Sequence, residues 1–218
     1  MRQYILIRSS CGVKLVQKDV AWQGYVVHSA IVQGDFIMKW FVASDIHGSE
    51  KYCRQMLSAF EREGADRLLL LGDLLYHGPR NDLPEGYAPK AVIELLNGQK
   101  GKVISIRGNC DAQVDQMVLD FPILADYCMI ETAGRLIFVT HGHEYGSRQS
   151  LPLAPGDILL CGHTHVPSLQ VKDEGIYMNP GSVSLPKEAS WHGYMVIENG
   201  VFLWKDLEGK EFMRHVLK

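Results

Sequence analysis

Several things this chain lacks narrow the field before any motif is read. Its five cysteines (Cys11, Cys53, Cys110, Cys128 and Cys161) include no Cys-x-x-Cys pair and are odd in number. That pattern argues against a disulfide framework or a thiolate metal site, and for free thiols in a reducing cytoplasm. No apolar run approaches the roughly 18 residues of a membrane helix. The opening stretch, Tyr4 to Ile7 after Arg2, is too short for a secretory signal. Nor is there a basic excess: 22 Lys and Arg stand against 25 Asp and Glu, a formal net charge of -3. A nucleic-acid or membrane-surface partner therefore has no electrostatic footprint here. What remains is a chain of 218 residues, 46% hydrophobic and 22% charged, as expected of a globular domain with a substantial core.

Two stretches read differently. Residues 1–37 carry scattered valines and isoleucines with no clear period and no nameable chemistry. From Met38 the text becomes a buried-strand pattern, Met38 to Ser44, running into Asp45. Gln33-Gly34-Asp35 can be encoded by a purine-rich tract of the kind that precedes a bacterial start codon. The expectation is an N-terminal extension over 1–37, read from an over-extended gene start, followed by a single domain over 38–218. Without the extension the domain holds 18 basic and 23 acidic residues, hence -5.

Downstream, strands and helices alternate. Tyr52, Met56, Leu57 and Phe60 give a helical stripe over Glu50 to Glu63, stopped by Gly64. Leu68 to Leu71 is a continuous apolar run of the kind buried on both faces of a sheet. Ala88 to Leu96 predicts a second helix and Val103 to Ile106 the next strand. Between Tyr76 and Pro89, Pro, Gly, Asn and Asp predict a loop. Tyr127 to Glu131 and Leu136 to Thr140 predict a hairpin; Ile158 to Cys161 and Ile176 to Met178 predict short strands. Tyr194 to Ile197 and Val201 to Trp204 close on Asn199-Gly200, a strong hairpin signal. A βαβαβ first half and a mainly β second half predict two stacked sheets with helices outside.

Five fragments follow apolar runs and hold most of the metal-binding side chains: Asp45-Ile46-His47-Gly48, Gly72-Asp73, Gly108-Asn109-Cys110-Asp111, His141-Gly142-His143 and Gly162-His163-Thr164-His165. Ligand sites in α/β sheets form beyond the carboxyl ends of strands, so these positions can meet in one cleft. Taken singly they are ordinary: Gly-Asp is a common turn, and His143 beside His141 can be a ligand or an exposed neighbour. Their conjunction in this order is the signal. The donors are oxygens and imidazoles, a set suited to two hard or borderline cations.

In order, the fragments resemble the calcineurin-like metallophosphoesterases, and within them the YfcE-type bacterial phosphodiesterases. His77 to Asn81, Leu83 to Pro89 and Asn179 to Ser184 carry the closer likeness, which spans Met38 to about Ile197. The resemblance implies an α/β/β/α sandwich, two mixed β-sheets flanked by helices. It implies that Asp45, His47 and His165 hold one ion and Asn109, His141 and His163 another, with Asp73 bridging. Two divalent ions are implied, Mn²⁺ first, with Zn²⁺, Fe and Ni²⁺ as alternatives. Such a pair activates a water as hydroxide and clamps phosphate oxygens.

Other assignments follow from these. Much of the superfamily has a proton-donating histidine where this chain has Cys110. A thiol is a poor acid for an alkoxide, so diesters with stable leaving groups are expected as substrates. Asp111 is a candidate for orienting an imidazole, or else a surface residue. His77 is a candidate proton donor, and Arg80 can reach a phosphate oxygen or belong to a solvated loop. His143 is expected to line the site. His28, His192 and His215 lack partner motifs and are expected to be structural or surface residues.

The leading expectation is a cytoplasmic bacterial phosphodiesterase for a small substrate, working as a homo-oligomer. A phosphomonoesterase, a cyclic-nucleotide phosphodiesterase and a non-catalytic scaffold of the same fold are the alternatives.

Overall fold

A computed structural model describes residues 37–146, 153–173 and 175–217. The N-terminal extension expected over 1–37, with Cys11 and His28, lies outside the described residues except for Ile37. Met38 leads directly into the first strand, β1 (Trp40–Ala43).

Two sheets follow. In the first, β1, β2 (Arg67–Leu70) and β3 (Val103–Ser105) run parallel. Beyond β1 the sheet continues antiparallel through β9 (Gly193–Glu198), β10 (Val201–Asp206) and β11 (Glu211–Val216). The second sheet runs β4 (Tyr127–Thr132), β5 (Arg135–Thr140), β6 (Ile158–Leu160), β8 (Gly175–Asn179), β7 (Ser168–Lys172). In it β5, β6 and β8 are parallel, and the outer strands β4 and β7 antiparallel. Both sheets are mixed, as expected.

The leucine run shows why the layers stack. Leu68 and Leu70 face one core with Phe41, Ala43, Tyr194 and Val196. Leu69 and Leu71 face the other with Val42, Ile137, Val139, Leu160, Met178 and Trp204. Strand alternation thus gives the first sheet two buried faces, one under helices and one against the second sheet. The helical cover is α1 (Glu50–Glu63) and α2 (Pro89–Asn97), whose Cys53, Met56, Phe60, Val92 and Leu96 join the first core.

α1 begins at the cap Ser49, whose hydroxyl accepts the Tyr52 N–H at 3.3 Å. It ends on Gly64 at φ 61°, a left-handed cap that costs glycine little. Residues 76–88 form no helix or strand beyond a Ser49–Tyr87 bridge, as the loop reading expects. A short α3 (Gln113–Gln116), β7 and β11 had no counterpart in the sequence reading. None has a clear apolar period: α3 is four residues long, and β7 and β11 are partly exposed edge strands.

Candidate metal centre

All five fragments meet at the carboxyl ends of β1, β2, β3, β5 and β6. The loops are laced together through their backbones. Asp45 N–H donates to the Gly72 carbonyl at 3.1 Å, His47 N–H to Asp73 at 2.9 Å, and Gly162 N–H to His141 at 3.0 Å. Packing is so close that two glycines are obligatory. A Cβ at Gly108 would stand 2.1 Å from Asp73 Oδ1, and one at Gly162 1.9 Å from Ser44 Oγ.

The backbone is also bent at the donors. Asp45, His47, Asp73, His163 and His165 have φ of 58°, 48°, 56°, 67° and 63°. Left-handed non-glycine residues cost on the order of 1–3 kcal/mol each and persist where the surroundings over-determine them. Five at one cleft is a concentration of strain that sequence reading gives no hint of.

The imidazoles are aimed by their second nitrogens. His47 Nδ1 donates to the Tyr76 carbonyl at 2.7 Å, His141 Nδ1 to Leu71 at 2.6 Å and His165 Nδ1 to Leu185 at 2.7 Å. A carbonyl only accepts, so Nδ1 carries hydrogen in each ring and Nε2 is left for the site. His47 Nε2 and His165 Nε2 approach to 3.2 Å. His141 Nε2 lies 3.0 Å from Asn109 Oδ1 and 3.5 Å from Asp73 Oδ2. The His163 ring is 5.1 Å from His141, centre to centre.

Asp45 supplies the observation that tests the fit of a metal. Its Oδ2 accepts the His163 N–H at 3.1 Å, while Oδ1 is buried with no hydrogen-bond partner. That oxygen lies 3.3 Å from His165 Nε2 and 3.7 Å from His47 Nε2. Buried polar atoms are rarely left unpaired. A carboxylate oxygen and two imidazole lone pairs converging without donors between them are the coordination set of a cation. Three groups of donors lie within 4.8 Å of one another: Asp45–His47–His165, Asp45–Asp73–His141 and His47–Asp73–Cys110. Asp45, His47 and Asp73 each belong to two of the three, and Asp73 Oδ2 lies 3.7 Å from His47 Nε2 and 3.5 Å from His141 Nε2.

Charge is tuned accordingly. Burial pushes the Asp45 carboxyl up, yet His165, His141 and His47 together hold it well below the usual range. Asp73 is likewise lowered, burial being outweighed by His141. Burial opposes a charge on His141 too, but Asp73 and Asp45 raise it to about 9. Burial lowers His163 to about 4, with the His141 charge adding to the effect.

The remaining sequence candidates separate. Cys110 is half-buried at the cleft, its thiol accepting from Asn109 Nδ2 at 3.2 Å. Burial and the nearby Asp73 charge push that thiol far above its normal range, so it stays protonated. Arg80 lines the cleft and is exposed. The His143 ring sits 5.4 Å from His141, and burial lowers its pKa. The His77 ring packs edge-on against Tyr76 and Tyr87, at 4.7 and 5.5 Å between ring centres, and its Nδ1 is buried without a hydrogen-bond partner.

Asp111 corrects the expectation. It is neither a surface residue nor a partner of an imidazole. Its buried carboxylate accepts the N–H groups of Asp73 and Gly108, both at 2.8 Å, and of Leu74 at 2.9 Å. It therefore fixes the backbone that carries Asp73. His192 is half-buried and stacked on Tyr52 at 3.9 Å between ring centres.

Other supports were missed. Ser182 and Ser184 hydroxyls donate to the Asp45 carbonyl at 2.8 and 3.1 Å. Asn179 Nδ2 donates to the Gly162 carbonyl at 2.6 Å. Lys187 lines the cleft and donates its N–H to the His165 carbonyl at 3.2 Å. The Asn-Pro-Gly-Ser run was visible in the sequence, but its partners lie up to 137 residues away.

Residues 38–199 match the family model for the calcineurin-like phosphoesterase superfamily domain. The chain belongs to the calcineurin-like phosphoesterase superfamily. It is 47% identical over 165 residues to phosphodiesterase YfcE of Escherichia coli, covering 76% of this chain and 90% of that relative. A solved structure of that phosphoesterase superposes with a TM-score of 0.79 at 43% identity, covering 83% of this chain and all of that one. Vacuolar protein sorting 29 of Cryptosporidium parvum has a TM-score of 0.56 at 16% identity, with 84% of this chain and 100% of that one covered. That last likeness is of fold alone. Within this calcineurin-like domain no described helix is long and apolar enough to cross a membrane.

Proposed function

We propose that this chain is a metal-dependent phosphodiesterase. The observation that carries the reading is the buried, unpartnered Asp45 Oδ1 among inward-facing imidazole nitrogens, in a chain 47% identical to a named phosphodiesterase. In this reading Asp45, His47 and His165 hold one ion, Asn109, His141 and His163 the other, and Asp73 lies between. Manganese is our choice on the family resemblance, with Zn²⁺, Fe and Ni²⁺ as alternatives that the oxygen and nitrogen donors also suit. A bound dication pair supplies an activated water and draws charge from phosphoryl oxygens.

The chain's own groups do the rest. Main-chain carbonyls lock three imidazoles so that Nε2 faces the cleft. Asp111 holds the Asp73 backbone in place. In this reading Arg80, on the rim of the cleft, meets a phosphate group of the substrate. In hydrolysis the water oxygen gives up a proton and bonds to phosphorus, one ester P–O bond breaks, and the departing alcohol takes up a proton from solvent water. Cys110, a protonated thiol of very high pKa, gives that alcohol little help. Diesters with good leaving groups should therefore react best.

The same proposal places the enzyme in a bacterial cytoplasm, as a homo-oligomer, with Met38 as its native first residue. N-terminal sequencing of protein expressed from the native gene tests the last point, and a mature chain beginning at Met1 or Arg2 contradicts it. The main reading is tested with metal-free protein reloaded with single metals and offered matched diesters, cyclic nucleotides and monoesters. Diesters should be cleaved and monoesters should lag. Monoesters reacting faster, or full activity without metal, would overturn it.

A further inference from the structure

Two cationic side chains line the cleft without forming an ion pair. Arg80 and Lys187 both line the space of about 350 Å³ that Asp73, Asn109, Cys110, His163 and His165 enclose. Neither has an ion-pair partner among the described residues, and what sets the two apart from the other unpaired cations is that both line this cleft.

Each cation is presented by a built turn. In the Arg80 turn, Asn81 Nδ2 donates to the His77 carbonyl at 2.8 Å, and Gly78 lies so close to Cys110 that a Cβ would meet Sγ at 3.1 Å. This seats Arg80 on the Asn109–Cys110 side. Lys187 belongs to the His165 side through its backbone bond to that residue. Its turn is closed by the Ser190 hydroxyl and N–H on the Lys187 carbonyl, at 2.6 and 3.0 Å. Glu188 and Ala189 within it sit at φ 54° and 55°, consecutive left-handed residues of a kind that gather at ligand clamps.

The charge balance asks for more than a simple diester. A phosphodiester brings a single negative charge. Two carboxylates against two dications leave the centre itself net positive and able to take that charge. Arg80 and Lys187 are then surplus, one a planar fork and one a point charge, both suited to phosphate.

Resting on the phosphodiesterase reading, we propose that Arg80 and Lys187 hold a second phosphate of the substrate. The preferred substrates are then small phosphodiesters in which one alcohol itself carries a phosphate group. The volume of the cleft suits a compact ligand of this kind.

The test uses the full chain loaded with Mn²⁺ and three diesters that differ only in one arm, which ends in a hydroxyl, a carboxylate or a phosphate. The phosphate-bearing diester should have the highest kcat/KM, by about tenfold over the hydroxyl form and mostly through KM. In the Arg80→Met, Lys187→Met double variant that ratio should fall towards one. A ratio near one in the native chain overturns the proposal, as does a preference that survives the double substitution. A carboxylate arm that performs as well as phosphate overturns the phosphate assignment. Hydrolysis of none of the diesters would instead count against the phosphodiesterase reading. Calorimetric titration with glycerol 1-phosphate against glycerol then reads phosphate binding without turnover: binding that the double variant weakens about tenfold supports the anion site, and unaltered binding refutes it.

Discussion

At the scale of single residues, the centre depends on which atoms are already spoken for. His141 shows this most clearly. Its pKa is raised to about 9 from 6.5, so without metal it is charged at neutral pH. A group raised on folding stabilises the fold fully below about 6.5, and that contribution is lost as pH rises through about 9. Metal must displace the same proton, so apparent affinity should climb with pH by up to about tenfold per unit until about 9. Calorimetry in buffers of different ionisation enthalpy should find proton release at pH 7.5 that shrinks by pH 9.5. No buffer dependence at pH 7.5 would contradict the assignment. Cys110 makes a separate prediction. Replacing it by histidine adds a proton donor worth on the order of 10²-fold or more where the alcohol leaves poorly. C110H should shift relative rates toward poor leaving groups while metal content stays constant. Identical selectivity across a substrate panel would refute the argument.

At the scale of elements, the strands determine where the chemistry can be. Much of this was legible. Leu68 to Leu71 reads as a strand buried on both faces because that environment tolerates no polar alternation, and the motifs come where such runs stop. β7 and β11 were not legible, because edge strands need no apolar period. The roles of Asp111, Ser182, Ser184 and Lys187 escaped for a different reason. Each depends on a backbone partner brought close only by the fold, 137 residues away for the Ser182–Asp45 bond. The closeness of these loops is itself testable. At Gly162 a Cβ would stand 1.9 Å from Ser44 Oγ and 3.0 Å from Asp45 Oδ2. Gly162→Ala should therefore push the β6 loop off the β1 loop at a cost of about 1–3 kcal/mol. A fall in melting temperature of about 2–4 °C per kcal/mol, with weaker metal retention, is expected. A variant with native stability and metal content would show the packing to be looser than described.

At the scale of the whole molecule, the two-layered core bears the strain that the centre imposes. Five left-handed donors and a buried, unpartnered carboxylate oxygen oppose folding. Cations that bind only the folded chain should offset that cost by mass action, about 2.7 kcal/mol at a hundredfold excess over Kd. For a chain of this size that is a rise of roughly 5–10 °C in melting temperature on adding Mn²⁺ to stripped protein. An unchanged melting curve would mean the donors do not form a metal site. The central claim is that Asp73 serves two ions at once, and metal content of purified native and Asp73→Asn protein, measured alongside diester hydrolysis, tests it most directly. The account predicts two divalent ions per native chain, with both occupancy and activity collapsing in D73N. Two retained ions and full activity in that variant would contradict it.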